Sequence, residues 1–299
     1  MSQQAPQHRS RDRVASTPTS RRIVELACRA SSVLNTQPWS WRATADRIDL
    51  YADHSRRLAT SDPHGRNLVI SCGVALHHVQ VVAAALGLGA AVTRWPDPSS
   101  ERHLATLALT PTEPVPDAAA DLQAIALRST DRQRFTDWPI PDERLARAAT
   151  SITQADVHGV ALTEVADRFR MELLVNRALT RQGPDDPSRS ALDPRVGGED
   201  VRIGSDGLIV LATETDDPAA WLRTGEGLSA LWLHATTDGL SVVPLSQVID
   251  VEETRQALRF EVLGGAVFPQ LLVRIGWQEI GVSQRPRTPR RPVDDVLLP

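Results

Sequence analysis

The sequence predicts an α+β protein built from two related halves, and two observations support this prediction. Two long apolar segments, 66–95 and 218–245, have the spacing of buried helices. Strand-like segments accompany each of them in the same order. With 299 residues, of which 41% are hydrophobic and 23% charged, the chain is long enough for two modest domains or for one large domain with a full core.

Each apolar segment predicts a helix that is closed by a glycine. The first reaches Gly87 and the second, which Pro218 opens, reaches Gly239, as expected for glycine C-caps. The two segments align at an offset of 152 residues, since 225 − 73 = 152. The matching pairs are Gly73 with Gly225, Leu76 with Leu228, Ala83 with Ala235 and Gly87 with Gly239. An offset of about half the chain indicates a duplicated domain rather than a solenoid, and chance agreement between two buried helices is the alternative.

The strand-like segments complete the two predicted halves. They are "RIDLYAD" and "RHLATLALT" around the first helix, and "GLIVLATE" and "PQLLVRIGW" around the second. Between the halves, the Pro-rich and acidic "TPTEPVPDAAADLQ" has the composition of a linker. We therefore predict a disordered arm over 1–16, a first half over 17–115 and a second half over 116–299. The second half would include a loop or lid at 181–207 and a C-terminal arm.

The composition limits the chemistry and the partners. The formal net charge is −4, so nucleic acid is not the expected partner. All 33 basic residues are arginine, which excludes lysine-anchored pyridoxal phosphate and a P-loop lysine. We expect no membrane span, and the polar N-terminal stretch lacks the apolar region of a secretory signal. Cys28 and Cys72 lie in apolar surroundings, which is typical of buried, reduced thiols and predicts a cytoplasmic protein.

Two motifs that could indicate other ligands are incomplete. "GEGLSA" at 225–230 matches a dinucleotide-binding fingerprint, but the helical "WLRT" precedes it where a strand is required. Small residues that allow close packing of two long helices explain it better. The residues with metal-ligating side chains lack metal-site spacing, and we expect no metal; they are His54, His64, Cys72, His77 and His78.

The two halves differ where ligand-binding side chains are concentrated. "ASSVLNTQPWSW" at 30–41 offers the carboxamides of Asn35 and Gln37 to a planar polar ligand, and it has no counterpart 152 residues later. "RSTDRQRF" at 128–135 places three arginines around two hydroxyls, a composition suited to phosphate. The alternatives are a capping turn with an aromatic plug and a solvated charged turn. We expect one composite site that draws on both halves.

The ordered motifs resemble a known family. Asn-x-Gln-Pro-Trp at 35–39, Arg-x-Thr-x-Arg at 128–132, Gly-Leu-x-x-x-Pro at 239–244 and Pro-Arg-x-Pro at 289–292 resemble those of the nitroreductase superfamily of FMN enzymes. The double-length chain, with "WLRTGEGLSALWL" and "TPRRPVDDVL", resembles its Acg-type branch over residues 20–299. The resemblance implies two tandem nitroreductase-like halves that form an intrachain pseudo-dimer. Mainly antiparallel sheets would surround the long central helices, with one FMN between the halves.

The resemblance also assigns roles to individual residues. Arg128 and Thr130 match contacts to the phosphate and the ribityl chain, and Arg132 matches the cation near flavin N1 and O2. Arg290 matches the C-terminal phosphate ligand, and the turn 244–247 matches the one that covers a flavin face. The full set of implied FMN contacts is Ser31, Ser32, Asn35, Gln37, Arg128, Thr130, Arg132, Pro244, Leu245, Ser246, Gln247 and Arg290. The family pattern departs at Ser31, which replaces a proline, and at Gln247, which replaces a glycine.

The implied activity is hydride transfer from NAD(P)H through flavin N5 to a nitro compound, a quinone or another small acceptor. No catalytic acid or base is required, because the flavin performs the chemistry. The alternatives are an FMN-binding or FMN-sequestering protein with little turnover and a pseudoenzyme without flavin. A monomeric pseudo-dimer is expected, and a further homo-oligomer is left open.

Overall fold

The computed structural model describes residues 17–113, 115–128, 135–136, 138–152, 154, 156–182, 206–277 and 288–299. The described strands are β1 (Trp39–Ala43), β2 (Arg47–Ala52), β3 (Leu88–Arg94), β4 (His103–Pro111), β5 (Val157–Ala161), β6 (Gly207–Thr213), β7 (Leu240–Leu245) and β8 (Phe268–Trp277). The described helices are α1 (Pro18–Ala27), α2 (Arg66–Ala85), α3 (Ala118–Leu127), α4 (Asp142–Thr150), α5 (Val165–Gln182), α6 (Pro218–Thr237), α7 (Gln247–Asp250), α8 (Glu252–Ala257) and α9 (Val293–Val296). The predicted arm over 1–16 and residues 183–205 of the predicted lid lie outside the described residues.

The described strands form two four-stranded antiparallel sheets with the same strand order. The first sheet has the order β1-β2-β4-β3 and the second has the order β5-β6-β8-β7. Each sheet therefore begins with an antiparallel pair and places its last strand between the second and the third. The repeated topology confirms the predicted fold class of two tandem halves with antiparallel sheets. The domain boundary at 115 and 116 stays a prediction.

The long central helices α2 and α6 cross at two glycines. A Cβ atom on Gly73 would collide with the carbonyl oxygen of Leu222, and one on Gly225 would collide with the carbonyl oxygen of Ile70. The two collisions are related by the repeat, since 222 − 70 = 152 and 225 − 73 = 152. The Nδ1 atom of His77 also lies 2.9 Å from the Oγ atom of its repeat equivalent, Ser229. A pseudo-twofold axis therefore passes between these helices.

Both central helices end as predicted, and each is followed by a strand within the same apolar segment. Gly87 and Gly239 adopt left-handed backbone conformations, with φ of 71° and 75°, which residues with a side chain rarely adopt. Helix α6 begins at Pro218 under an Asp217 cap that accepts from the Ala220 N–H group. The carboxylate of Asp62 accepts the N–H groups of two first-turn residues of α2.

Helix α2 is apolar on nearly all sides because it is the central helix of the core. Helix α2 has 20 residues, and an 18-residue window within it has a mean hydropathy of 1.8, which would suffice for a membrane span by length and composition. No span was expected from the sequence. Within that window, 78% is buried inside the protein. Helices α1, α3 and α6 and strand β3 all pack against it. Its hydropathy is thus accounted for by burial in the protein core.

The C-terminal arm returns to the first half of the molecule. Leu298 donates its N–H group to the carbonyl oxygen of Trp41 at 2.6 Å, and Leu297 forms a parallel bridge to the same residue. Helix α9 packs against α1 and β1, and Asp294 forms an exposed ion pair with Arg21 at 2.7 Å. The chain segment that follows the second sheet therefore completes the core of the first.

The helix crossing predicts the effect of adding one methyl group. We expect Gly73→Ala and Gly225→Ala each to lower the free energy of unfolding by about 1–3 kcal/mol, because backbone atoms of the other helix must move. Gly89→Ala is the matched control, since a Cβ there would meet neighbours only at 3.5 Å and beyond. Denaturant unfolding measures all three variants. Equal stability of Gly73→Ala and Gly89→Ala would contradict the close crossing.

Candidate functional site

A crevice between the halves is lined by half of the predicted contacts that the structure describes. One wall is residues 31–34, and the opposite wall is the end of β7 and the turn that follows it, with Pro244, Ser246 and Gln247. Residues of α2 and α6 form the base, including Trp232. The space inside the crevice is about 720 Å³ when the part open to solvent is included. Segments far apart in sequence thus meet around one crevice.

The wall formed by residues 31–37 has an unusual backbone. Leu34, Asn35 and Gln37 have φ values of 46°, 57° and 49°, which lie in the left-handed region. Each such non-glycine residue costs on the order of 1–3 kcal/mol. The hydroxyl of Ser32 accepts the Gln37 N–H group at 2.9 Å, and the Ser71 hydroxyl accepts the Val33 N–H group at 3.3 Å. The surrounding structure holds this turn in a conformation that presents its backbone to the crevice.

Arg128, Arg290 and Asn35 meet at the end of helix α1. The guanidinium groups of Arg128 and Arg290 both donate to the carbonyl oxygen of Arg29. Arg290 Nη1 also donates to Asn35 Oδ1 at 3.2 Å, while Asn35 Nδ2 donates to the carbonyl oxygen of Pro289 at 3.1 Å. The Arg128 guanidinium lies 4.7 Å from the ring centroid of Trp232, which is part of the crevice. We call these three residues the arginine cluster; Trp232 and the 31–35 turn connect it to the crevice.

The arginine cluster holds buried positive charge without a carboxylate partner among the described residues. Arg128 is only 8% exposed. Burial, and then the charges of Arg290 and Arg29, lower its pKa to about 9. Burial followed by the charge of Arg29 also lowers the pKa of Arg290. Because guanidinium groups keep their proton under ordinary conditions, these shifts mean that the charged state is destabilised there.

Two donors of the arginine cluster have no acceptor in the described part of the chain. The Nε atoms of Arg128 and Arg290 are buried and have no hydrogen-bond partner in the described part of the chain. An unpaired buried charge costs several kcal/mol of desolvation unless an anion offsets it. A phosphate oxygen accepts well from a guanidinium donor. The cluster therefore has the chemistry of an anion site.

Gln37 binds the C-terminal arm rather than the crevice. Its side chain is buried, and its Oε1 atom accepts the Arg291 N–H group at 2.8 Å. The Arg291 guanidinium in turn donates to the carbonyl oxygens of Gln37 and Trp39 at 3.2 and 3.3 Å. Gln37 thus positions the chain segment that presents Arg290. A direct contact of Gln37 with a cofactor stays a prediction.

The turn 244–247 is fixed by a polar network from the other half. Asp250, just after it, accepts from Asn67 Nδ2 at 3.0 Å and from Arg66 Nη2 at 3.4 Å. Burial raises the pKa of Asp250, and the Arg66 charge opposes that rise. Leu245 packs its side chain into the core of the second half, so only its backbone could face the crevice. The network joins the first turn of α2 to the opposite wall.

The predicted residues are therefore brought together to different degrees. The crevice walls and the arginine cluster form one continuous region. The predicted residues on the walls are Ser31, Ser32, Pro244, Ser246 and Gln247. Those in the arginine cluster are Asn35, Arg128 and Arg290. Gln37 and Leu245 lie behind these residues. Thr130 and Arg132 lie outside the described residues. The assignment of all these residues to a cofactor stays a prediction.

Among the residues at the site that no sequence motif indicated, three are informative. The carbonyl oxygen of Arg29 is the shared acceptor of two arginines, but a backbone group gives no signal in the sequence. Trp232 was treated as part of an apolar helix, although it lines the crevice. Asn67 was unmarked; its position in the first turn of a long helix was the one available clue.

The chain is similar over nearly its whole length to two proteins of Mycobacterium tuberculosis strain H37Rv. It is 36% identical over 315 residues to "Putative NAD(P)H nitroreductase Rv3131", and the alignment covers 93% of this chain and 91% of the relative. It is 31% identical over 328 residues to "Putative NAD(P)H nitroreductase acg", and the alignment covers 96% of this chain and 97% of the relative. No protein-family model matches the chain.

A solved structure shares the fold. The crystal structure of "a putative nitroreductase" from Anabaena variabilis superimposes with a TM-score of 0.52 at 10% sequence identity. The match covers 78% of this chain and 69% of that chain. At this identity the likeness concerns the fold alone.

The buried charge of Arg128 predicts that this residue lowers the stability of the ligand-free protein and is required for anion binding. In ligand-free protein we expect Arg128→Met to raise the free energy of unfolding by about 1–2 kcal/mol, since an unpaired buried cation is replaced by an apolar side chain. Added inorganic phosphate should raise the melting temperature of the unsubstituted protein but not of this variant.

The matched control for this prediction is Arg144→Met. Arg144 also lies over a tryptophan, with its guanidinium 5.2 Å from the Trp277 ring centroid, but it is not part of the arginine cluster. This variant should keep the response to phosphate. An Arg128→Met protein that still responds to phosphate would contradict the assignment of an anion site. Thermal unfolding with and without phosphate measures both variants.

Proposed function

Because the chain belongs to the Acg-type nitroreductase-like family, we propose that it is an FMN-dependent oxidoreductase of nitroreductase type. The observation that supports this most directly is the buried arginine cluster beside a crevice that both halves line. The donor would be NAD(P)H, in keeping with the names of its relatives. The acceptor would be a nitro compound, a quinone or another small molecule.

The described residues suit FMN in both charge and polarity. The phosphate of FMN is close to a dianion at neutral pH, like other phosphate monoesters. It would supply the negative charge that Arg128 and Arg290 lack and acceptors for their unpartnered Nε atoms. The adjoining crevice is mostly apolar with a few polar groups, as expected for a planar ring system.

The protein's own residues would bind, orient and shield. Arg128 and Arg290 would hold the phosphate, and Asn35 would keep the Arg290 guanidinium in place through its Oδ1 atom. Residues 31–34 and Trp232 would exclude water from the ring. When bound, FMN supplies the two-electron transfer between donor and acceptor. The site then requires no side chain to act as an acid, base or nucleophile.

One chain would suffice for one complete site. The wall at 31–35 belongs to the first half, while Arg290 and the turn 244–247 belong to the second. In this proposal the covalent connection replaces the second subunit of a dimeric enzyme. We also propose a cytoplasmic location, which the two buried free thiols favour; burial raises the pKa of the Cys28 thiol to about 12.

The arginine cluster predicts a preference for FMN over riboflavin. We expect Arg290→Gln to weaken FMN binding by about 10–100-fold, as for the loss of charge-assisted hydrogen bonds. Riboflavin has no phosphate, so its binding should change by less than about 3-fold. Arg22→Gln is the control, because Arg22 is exposed and its ion pair within the described residues is with Glu25. Titration calorimetry measures the affinity of both variants for both flavins, and each affinity is divided by that of the unsubstituted protein. Equal losses for FMN and riboflavin would refute the phosphate assignment.

Turnover is tested separately from binding. We expect NADPH, mixed anaerobically with the FMN-loaded protein, to bleach the visible flavin absorbance within seconds and a quinone to restore it. Stopped-flow absorbance records both steps. A yellow protein that NADPH does not bleach over minutes would favour FMN sequestration, and a protein that binds no FMN would refute both functions. Free FMN with NADPH is the control.

A further inference from the structure

The repeat should have produced a second crevice, and its position can be located. Helices α2 and α6 have the same length and are related by the 152-residue offset, since 66 + 152 = 218 and 85 + 152 = 237. Val74 and Trp232 lie on these helices, and Ser246 directly follows β7, the strand after α6. All three residues line the open crevice. Their repeat equivalents follow from 74 + 152 = 226, 232 − 152 = 80 and 246 − 152 = 94. These equivalents are Glu226, Gln80 and Arg94.

The three equivalents contact one another in the interior. Arg94 donates to the Glu226 carboxylate from Nε at 2.7 Å and from Nη2 at 2.8 Å. Gln80 Nε2 donates to the same carboxylate at 2.9 Å. Glu226 is fully buried, while the Arg94 side chain is 32% exposed and reaches inward from the surface. We call this set the Glu226 cluster.

The Glu226 cluster is placed where the open crevice has space. Val74 and Ser246 of the open crevice correspond to Glu226 and Arg94, whose longer side chains extend toward each other and meet. The Gln247 position also differs, since its equivalent is Trp95, which packs against the core. Val74 and Ser246, which have short side chains on one side of the pseudo-twofold axis, are thus matched on the other side by the longer and mutually bonded Glu226 and Arg94.

Stability alone is a weak reason for such a cluster. Removing a glutamate from water costs about as much as a good ion pair returns, so a buried ion pair is often no better than apolar packing. Filling space is a different matter, because an unfilled crevice between two core helices would lose packing contacts or admit water. The bidentate arginine and the glutamine satisfy the carboxylate well enough to make filling possible.

We propose that the Glu226 cluster closes the pseudo-symmetric counterpart of the open crevice and restricts the chain to one flavin site. This inference rests on the proposed function. It assigns to Arg94, Gln80 and Glu226 a role in the number of sites rather than in the chemistry of the occupied one. It also explains why a fold with two matching halves would bind one cofactor.

The first experiment copies the open crevice onto the closed one. Glu226→Val with Arg94→Ser installs the two residues found at Val74 and Ser246, and it removes both charges together. Riboflavin is the probe, because the arginine cluster has no described counterpart there. We expect calorimetric stoichiometry to rise from one riboflavin per chain to two. The control, Glu226→Gln with Arg94→Gln, keeps long side chains and should remain at one.

The outcomes separate this inference from the proposed function. Unsubstituted protein that binds no flavin refutes the proposed function, whereas unsubstituted protein that binds two FMN refutes only the inference. A folded Glu226→Val, Arg94→Ser protein that still binds one riboflavin also refutes the inference. Circular dichroism and a cooperative melting transition establish whether that variant is folded.

The second experiment decides the matter if the first variant does not fold. Val74→Glu with Ser246→Arg transfers the ion pair into the open crevice, at positions where the helix spacing already accommodates it in the other half. We expect this folded variant to lose binding of both FMN and riboflavin by at least 100-fold. Retained binding of either flavin at the unsubstituted affinity would overturn the proposal.

Discussion

Helices α2 and α6 approach so closely that a methyl group on Gly73 or Gly225 would collide with a carbonyl oxygen of the other helix. This contact fixes the relation between the halves, since the two sheets are connected to each other mainly through this helix pair. The crevice base is made of side chains from the same two helices, Val74 and Trp232 among them. A shift of one helix along the other would therefore change the crevice before it changed either sheet.

The core stabilises the fold, whereas the candidate site contains features that destabilise it. The core around the central helices and the sheets is built mainly from buried apolar side chains, and their burial is the main source of folding stability. The arginine cluster instead concentrates like charges, and the 31–37 turn holds residues in the left-handed region. Since a protein is only marginally stable, such a region persists because the packed core supports it. Local strain and unpaired charge next to a crevice are together a stronger indication of a ligand site than either is alone.

How much the sequence could predict follows from the range of each interaction. The central helices, their terminal glycines and the four strands beside them depend on local apolar periodicity and backbone freedom, and all were predicted. Strands β3 and β7 were not separated from the helices, because an apolar run of six or seven residues gives no period of its own. The pairing of Gln37 with Arg291 spans 254 residues, and no local pattern could indicate it.

A covalent connection between the halves changes what substitutions can do. In a homodimer, a glutamate at the Val74 position would appear in both crevices and would close both. In one chain, Val74 and its equivalent Glu226 are encoded separately, so one crevice can stay open while the other is filled. The same freedom lets Arg290 and the turn at 31–35 be optimised for a single site. The asymmetry of the polar residues is thus a physical consequence of joining two halves whose central helices still obey one symmetry.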